Sequence, residues 1–319
     1  MTGPQLEDLR QRELITQEQY EHIKPILTGK IVSVFYELRT LLYLGILLFS
    51  SGAGILIYQN IGQIGHVLAL SGLTLLMLAC FAYVTLKRQP YSHHSVKPPS
   101  PYYDYVVLLG CLLLVSVLGY AQFQFNLLEG NLEWATLTTA VIFFAVAYRF
   151  DHVGILSMAI TAFVSFWGIR LSIVNWAAGD FFTSRQLYVT ALVLGLSLTA
   201  IGSWLDTRKI KKHFSFTYQN FGFLLYFAGC LVGMAAEDIP YGWFVLLIYA
   251  GCAAAYRIAQ WKKSFLFLLY AFLAAYIATT VWLGDLIFDQ HEVLWFLYSI
   301  ISCGALIFFV VKYRHYFKQ

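Results

Sequence analysis

Residues 66–88 read HVLALSGLTLLMLACFAYVTLKR. From His66 to Leu86 there is no Asp, Glu, Lys or Arg, and Lys87 and Arg88 then close the run. A helix rises about 1.5 Å per residue, so about 20 residues cross the roughly 30 Å hydrocarbon core of a bilayer. The stretch therefore has the length and the composition of one transmembrane helix.

Working outward, one comparable run precedes it, Thr40 to Tyr58, and eight follow: Tyr105 to Phe123, Leu132 to Tyr148, Val153 to Ile169, Leu187 to Leu205, Tyr218 to Ala236, Pro240 to Tyr256, Phe265 to Leu283 and Val293 to Val311. Composition agrees, with 59% hydrophobic and only 12% charged residues, against about 25% charged in soluble domains. The expected fold is all-α, a polytopic transmembrane helical bundle of about ten spans. The polar N-terminal stretch has no short apolar region with a small-residue cleavage site, so insertion is expected to rely on the spans themselves.

Lys and Arg in short loops stay on the cytoplasmic side of a membrane. Here every second connection is basic: residues 1–39, then the segments holding Lys87 and Arg88, Arg149, Arg208 to Lys212, and Arg257 to Lys263, then the tail from Lys312. Of the 21 Lys and Arg, only Arg170 and Arg185 fall on the other side. That side instead carries Glu129, Glu133, Asp180, Glu237, Asp238, Asp285, Asp289 and Glu292. The alternation predicts both termini in the cytoplasm and explains the net charge of +4 without nucleic-acid binding. All eight tryptophans fall at or just beyond predicted span ends, where the headgroup level favours an indole.

Residues 1–39 read as a cytoplasmic helical head. Leu6 and Leu9 share a face, Thr16 and Gln19 form a capping box, and Ile31, Val34, Phe35 and Leu38 line an amphipathic helix on the inner surface. The head either anchors the bundle, the simpler reading, or docks a cytosolic partner. Residues 40–86 form the first helix pair. Residues 87–104, with Pro90, Pro98, Pro99 and Pro101, read as an extended cytoplasmic loop, in which His93 and His94 are too few ligands for a metal site.

Residues 105–205 and 218–311 read as two parallel four-span repeats, followed by a cytoplasmic tail at 312–319. Gly110 and Cys111 match Gly229 and Cys230; Ala147, Tyr148 and Arg149 match Ala255, Tyr256 and Arg257. The alternative is chance similarity between apolar segments.

Charged groups inside a bilayer mark ion pathways, and the middles of these spans carry none. Gln122 and Gln124, with Asn126, end the third span, Glu133 opens the fourth and Arg170 ends the fifth; together they would line the mouth of an outward-facing cavity. As solvated headgroup-level residues they would do nothing further, which is the simpler reading. Ser50 with Gly54, and Gly251 with Ala255, are spaced for close helix approach. No phosphate-binding loop, zinc-protease motif or nucleophile elbow occurs. Cys80, Cys111, Cys230, Cys252 and Cys303 all lie in apolar runs and read as small apolar residues. No catalytic residue, metal or cofactor is expected.

The head from Leu6 to Ile23, the run Gly29 to Arg39, and Tyr43 to Ile46 followed by Ser51, Gly52 and Gly54 resemble an uncharacterised family of bacterial predicted membrane proteins, domain of unknown function 2157. The resemblance implies a bacterial cytoplasmic (inner) membrane and carries no activity or site residues. The leading expectation is a channel-like or carrier-like protein for a small solute, not coupled to ions. The alternative is a non-catalytic scaffold, or subunit of a larger complex, with a membrane-protein or cytosolic partner.

Overall fold

In the computed structural model, each of the first nine predicted spans falls on one α-helix, with Ala236 and Pro240 just outside theirs. The structure describes residues 20, 35–90, 92, 99–100, 102–125, 132–175, 185–236, 240–287, 298, 300–305, 308 and 311–312. The helices are α1 Phe35–Ile64, α2 His66–Leu86, α3 Tyr103–Phe125, α4 Leu132–Phe150, α5 Val153–Asn175, α6 Arg185–Arg208, α7 Lys212–Ala235, α8 Tyr241–Lys262 and α9 Phe265–Ile287. Among the described residues there is no strand. By length and composition, α2, α3, α5, α6, α8 and α9 are able to cross a membrane. The head helices apart from Tyr20, residues 91, 93–98 and 101 of the loop at 87–104, Asn126 and most of the tenth predicted span lie outside the described residues.

The chain forms two compact units, residues 1–72 and 73–319. In the first, α1 runs 30 residues, about 45 Å and longer than a hydrocarbon core is thick. It begins at Phe35, so the described part of the amphipathic stretch continues directly into the first span.

In the second unit, three pairs turn back on themselves over only a few residues: α4 to α5 through Asp151 and His152, α6 to α7 through Lys209 to Lys211, and α8 to α9 through Lys263 and Ser264. Each turn uses non-glycine residues in the left-handed region, with φ of 59° at Asp151, 56° at Lys209, 45° at Lys211 and 50° at Lys263. In the first and third turns, the N–H five residues on closes the helix end, from His152 to the Ala147 carbonyl and from Ser264 to the Ala259 carbonyl, both at 3.1 Å. This is the Schellman arrangement, usually built on glycine.

α7 is the middle of this unit, packed against α5, α6, α8 and α9. Its contact with α6 is made by glycines. A Cβ at Gly222 would meet the backbone nitrogen of Thr199 at 2.7 Å and the Gly195 carbonyl at 2.9 Å, and Thr199 Oγ1 closer still. At Gly195 it would meet the Tyr226 nitrogen at 2.6 Å, and at Gly229 the Leu192 nitrogen at 3.1 Å. Small residues bring helix backbones together where apolar burial cannot drive association, because lipid tails are as apolar as side chains. Apolar layers fill the rest: Cys111, Phe143, Ile155, Leu198 and Phe214 on one side of α7, and Phe227, Cys230, Ile248, Ala255 and Phe267 on the other. Gly251 faces the Tyr226 ring, and the Tyr226 hydroxyl donates to the Leu247 carbonyl at 2.8 Å. The spacing of Gly251 and Ala255 thus marks a close α7–α8 contact.

Candidate functional site

The three tight turns share one end of the second unit, and buried ion pairs tie them together. Asp151, in the left-handed position that ends α4, accepts from Lys211 Nζ at 2.7 Å and pairs with His213 Nε2 at 2.8 Å. The Lys211 side chain is 1% exposed and that of Asp151 5%. The second tie centres on Asp206 in the last turn of α6, 3.6 Å from Lys262 at the end of α8 and 3.8 Å from Lys212 at the start of α7. Lys262 also donates to Ser215 Oγ at 2.7 Å, which donates in turn to the Gly202 carbonyl at 2.7 Å. Gly202 makes room for this network, since a Cβ there would strike Gln219 Cγ at 2.7 Å. Gln219 Nε2 donates to Ser203 Oγ at 3.2 Å.

Neighbouring contacts stiffen the same end. The Tyr148 and Tyr218 hydroxyls meet at 3.1 Å, and Phe214 stacks edge-on with both Tyr148 and His213. His152 Nδ1 accepts the Ile155 N–H at 3.1 Å and so caps α5; this places its proton on Nε2. Removing charges from water is costly, and a buried pair offsets that cost only when its geometry and hydrogen bonds are good, a condition met at Asp151 and less fully at Asp206, whose Oδ1 has no hydrogen-bond partner among the described residues. The arrangement holds helix ends in register. Among the described residues no group of three or more His, Cys, Asp or Glu is placed to hold a metal ion.

The residues expected at a cavity mouth are placed differently from one another. Gln122 is buried at 8%, whereas Gln124 and Arg170 are exposed. Glu133 is half-buried, with Oε2 enclosed and lacking a hydrogen-bond partner among the described residues. No ion pair joins it to Arg170 there. Arg170 lies five residues before the end of α5, on a helix that outlasts the predicted span.

A groove of about 270 Å³ runs between α9 and the last apolar segment, lined by Phe272, Ala275, Tyr276, Thr279, Ser302 and Ala305. Its walls are linked by hydroxyl pairs, Tyr276 with Ser302 at 3.1 Å and Thr280 with Tyr298 at 2.8 Å.

Asp151 and Asp206 were not singled out by sequence reasoning, which read their surroundings as basic loops. The signal was present: each is the lone acid in a connection whose other charged residues are cations, where a buried partner for Lys is the economical explanation.

Residues 7–156 match the model of a family described as Predicted membrane protein (DUF2157), in agreement with the resemblance read from the head and first span. No curated protein and no solved structure matches the chain. The chain is a membrane protein with several apolar helices, similar to that family over residues 7–156. Asp151 falls inside the matched region; Asp206, Lys211, His213 and Lys262 lie beyond it.

Proposed function

We propose that this chain is a non-catalytic subunit or scaffold of a membrane complex, held in a bacterial cytoplasmic membrane with both termini in the cytoplasm. The observation that carries this reading is how the second unit uses its polar groups. Asp151, Lys211, Asp206 and Lys262 are spent on one another at the turn end, while the α6–α7 interface is closed by backbone contact. Such a body is preassembled and presents fixed outer surfaces, which suits holding a partner. The alternation of basic and acidic connections supports the orientation.

The test is purification of the tagged full chain from its native membrane in mild detergent. A protein recovered in stoichiometric amount supports the reading, and deletion of residues 1–34 then asks whether the head is its dock. Recovery of the chain alone removes this support. A second reading, passive passage of a small weakly polar solute, is favoured by the mainly apolar groove that Tyr276, Thr279 and Ser302 border. It predicts flux of that solute in liposomes that falls when Tyr276→Phe and Thr279→Val are combined.

A further inference from the structure

At the turn end of α6 to α8 the acids are used up internally. Asp206 is 7% exposed and lies between Lys262 and Lys212, and Asp151 is held by Lys211 and His213. Arg208, Lys209, Arg257 and Lys263 remain on the surface, exposed and in no ion pair among the described residues. Lys212 joins them, with a side chain 68% exposed.

These cations continue two exposed apolar stripes. On α6 the exposed residues Val193, Leu196, Ile201 and Trp204 follow helical spacing and lead to Arg208, one turn beyond Trp204. On α8 the exposed residues Trp243, Leu246 and Leu247 lead to Arg257, with Trp261 one turn beyond it. An indole settles at the headgroup level, and an Arg or Lys beside it reaches outward to phosphate. We propose that this end of α6 and α8 is a binding surface for anionic phospholipids, with each Trp and Arg pair and the neighbouring turn lysine receiving one headgroup. The stripe beneath each pair is what separates a lipid from an acidic soluble protein. A lipid places its charge at the cations and its acyl chains along the exposed aliphatic residues, whereas a soluble partner leaves the stripe unused.

The experiment is thermal unfolding of the purified full chain in neutral detergent, titrated with dioctanoyl phosphatidylglycerol and, separately, dioctanoyl phosphatidylcholine. The wild type is expected to be stabilised by the glycerol lipid at about tenfold lower concentration than by the choline lipid, a preference weakened by high salt. The double variants R208Q/K209Q and R257Q/K263Q are each expected to lose most of that preference. The variant K87Q/R88Q, which removes equal charge at the end of α2, is expected to keep it. Because R208, K209, R257 and K263 lie on the surface outside the buried ties, both double variants should unfold cooperatively without lipid; if one does not, R208K/R257K replaces it and must keep the preference. Equal response to both lipids overturns the proposal, as does a preference unchanged in the two double variants. A co-purifying acidic protein, lost from these variants while lipid preference stays, overturns it in favour of a protein ligand.

Discussion

α1 and the α6–α7 pair carry the same glycine spacing and put it to opposite use. Gly45 and Gly52 are seven residues apart on α1, as are Gly195 and Gly202 on α6 and Gly222 and Gly229 on α7. Among the described residues of its own unit, a Cβ at Gly45 or Gly52 meets nothing within 4 Å, whereas one at Gly195 or Gly222 strikes backbone of the partner helix. Spacing of small residues thus permits close approach and does not itself create it. What creates it in α6–α7 is a short turn, fixed at its base by Lys211 on Asp151 and by Asp206 between Lys212 and Lys262.

Removing that base is the strongest way to break the contrast. Asp151→Asn keeps a residue that tolerates a left-handed backbone but takes away the carboxylate facing Lys211, so unfolding by denaturing detergent is expected to show a loss of about 3–5 kcal/mol. The double variant D151N/K211M should recover much of it, because two neutral groups need no mutual compensation. Acting on the interlock directly, Gly222→Ala should cost about 1–3 kcal/mol, since behind the Thr199 hydroxyl lie two backbone atoms, the Thr199 nitrogen and the Gly195 carbonyl oxygen, that yield only by separating the helices. The matching change on the other helix, Gly45→Ala, should be neutral or stabilising by up to about 1 kcal/mol, reflecting helix propensity alone. A large loss at Gly45 in the same assay would mean that α1 is packed as tightly as α6. The smallest effect tests the turns: Lys263→Gly relieves a left-handed residue whose side chain is exposed, and a gain of about 0.5–1 kcal/mol is expected in thermal unfolding.

The all-helical fold was legible because a bilayer demands long apolar runs with satisfied backbones, and that demand is written one residue at a time. Nine predicted spans fall on helices, and six of those helices are long and apolar enough to cross a membrane. The tryptophan reading agrees with the structure in part: Trp134, Trp204, Trp243, Trp261 and Trp282 lie near helix ends and are exposed, whereas Trp167 is half-buried, eight residues before the end of α5. The ties at Asp151 and Asp206 were not legible in the same way. Their partners are distant in sequence, Lys211 for one and Lys262 for the other, and the positive-inside pattern disguises a buried lysine as one more loop cation. The Ala-Tyr-Arg match is instructive too. Counted from the Schellman turns, Ala147 is equivalent to Ala259 and not to Ala255, so the motif sits one helical turn out of register with the turns.

A scaffold of this kind is expected to have its second unit closed around α7, with no aqueous route between its helices. Cys111 and Cys230 test this directly, because both are 0% exposed on the two sides of α7 and a buried thiol is inert to reagents that need water to reach it. In membranes from cells, a small water-soluble thiol reagent is expected to leave both cysteines unmodified until the protein is unfolded, as read by mass spectrometry of the peptides. Rapid modification of either cysteine in the folded protein would contradict a closed bundle and make a solute pathway the leading reading.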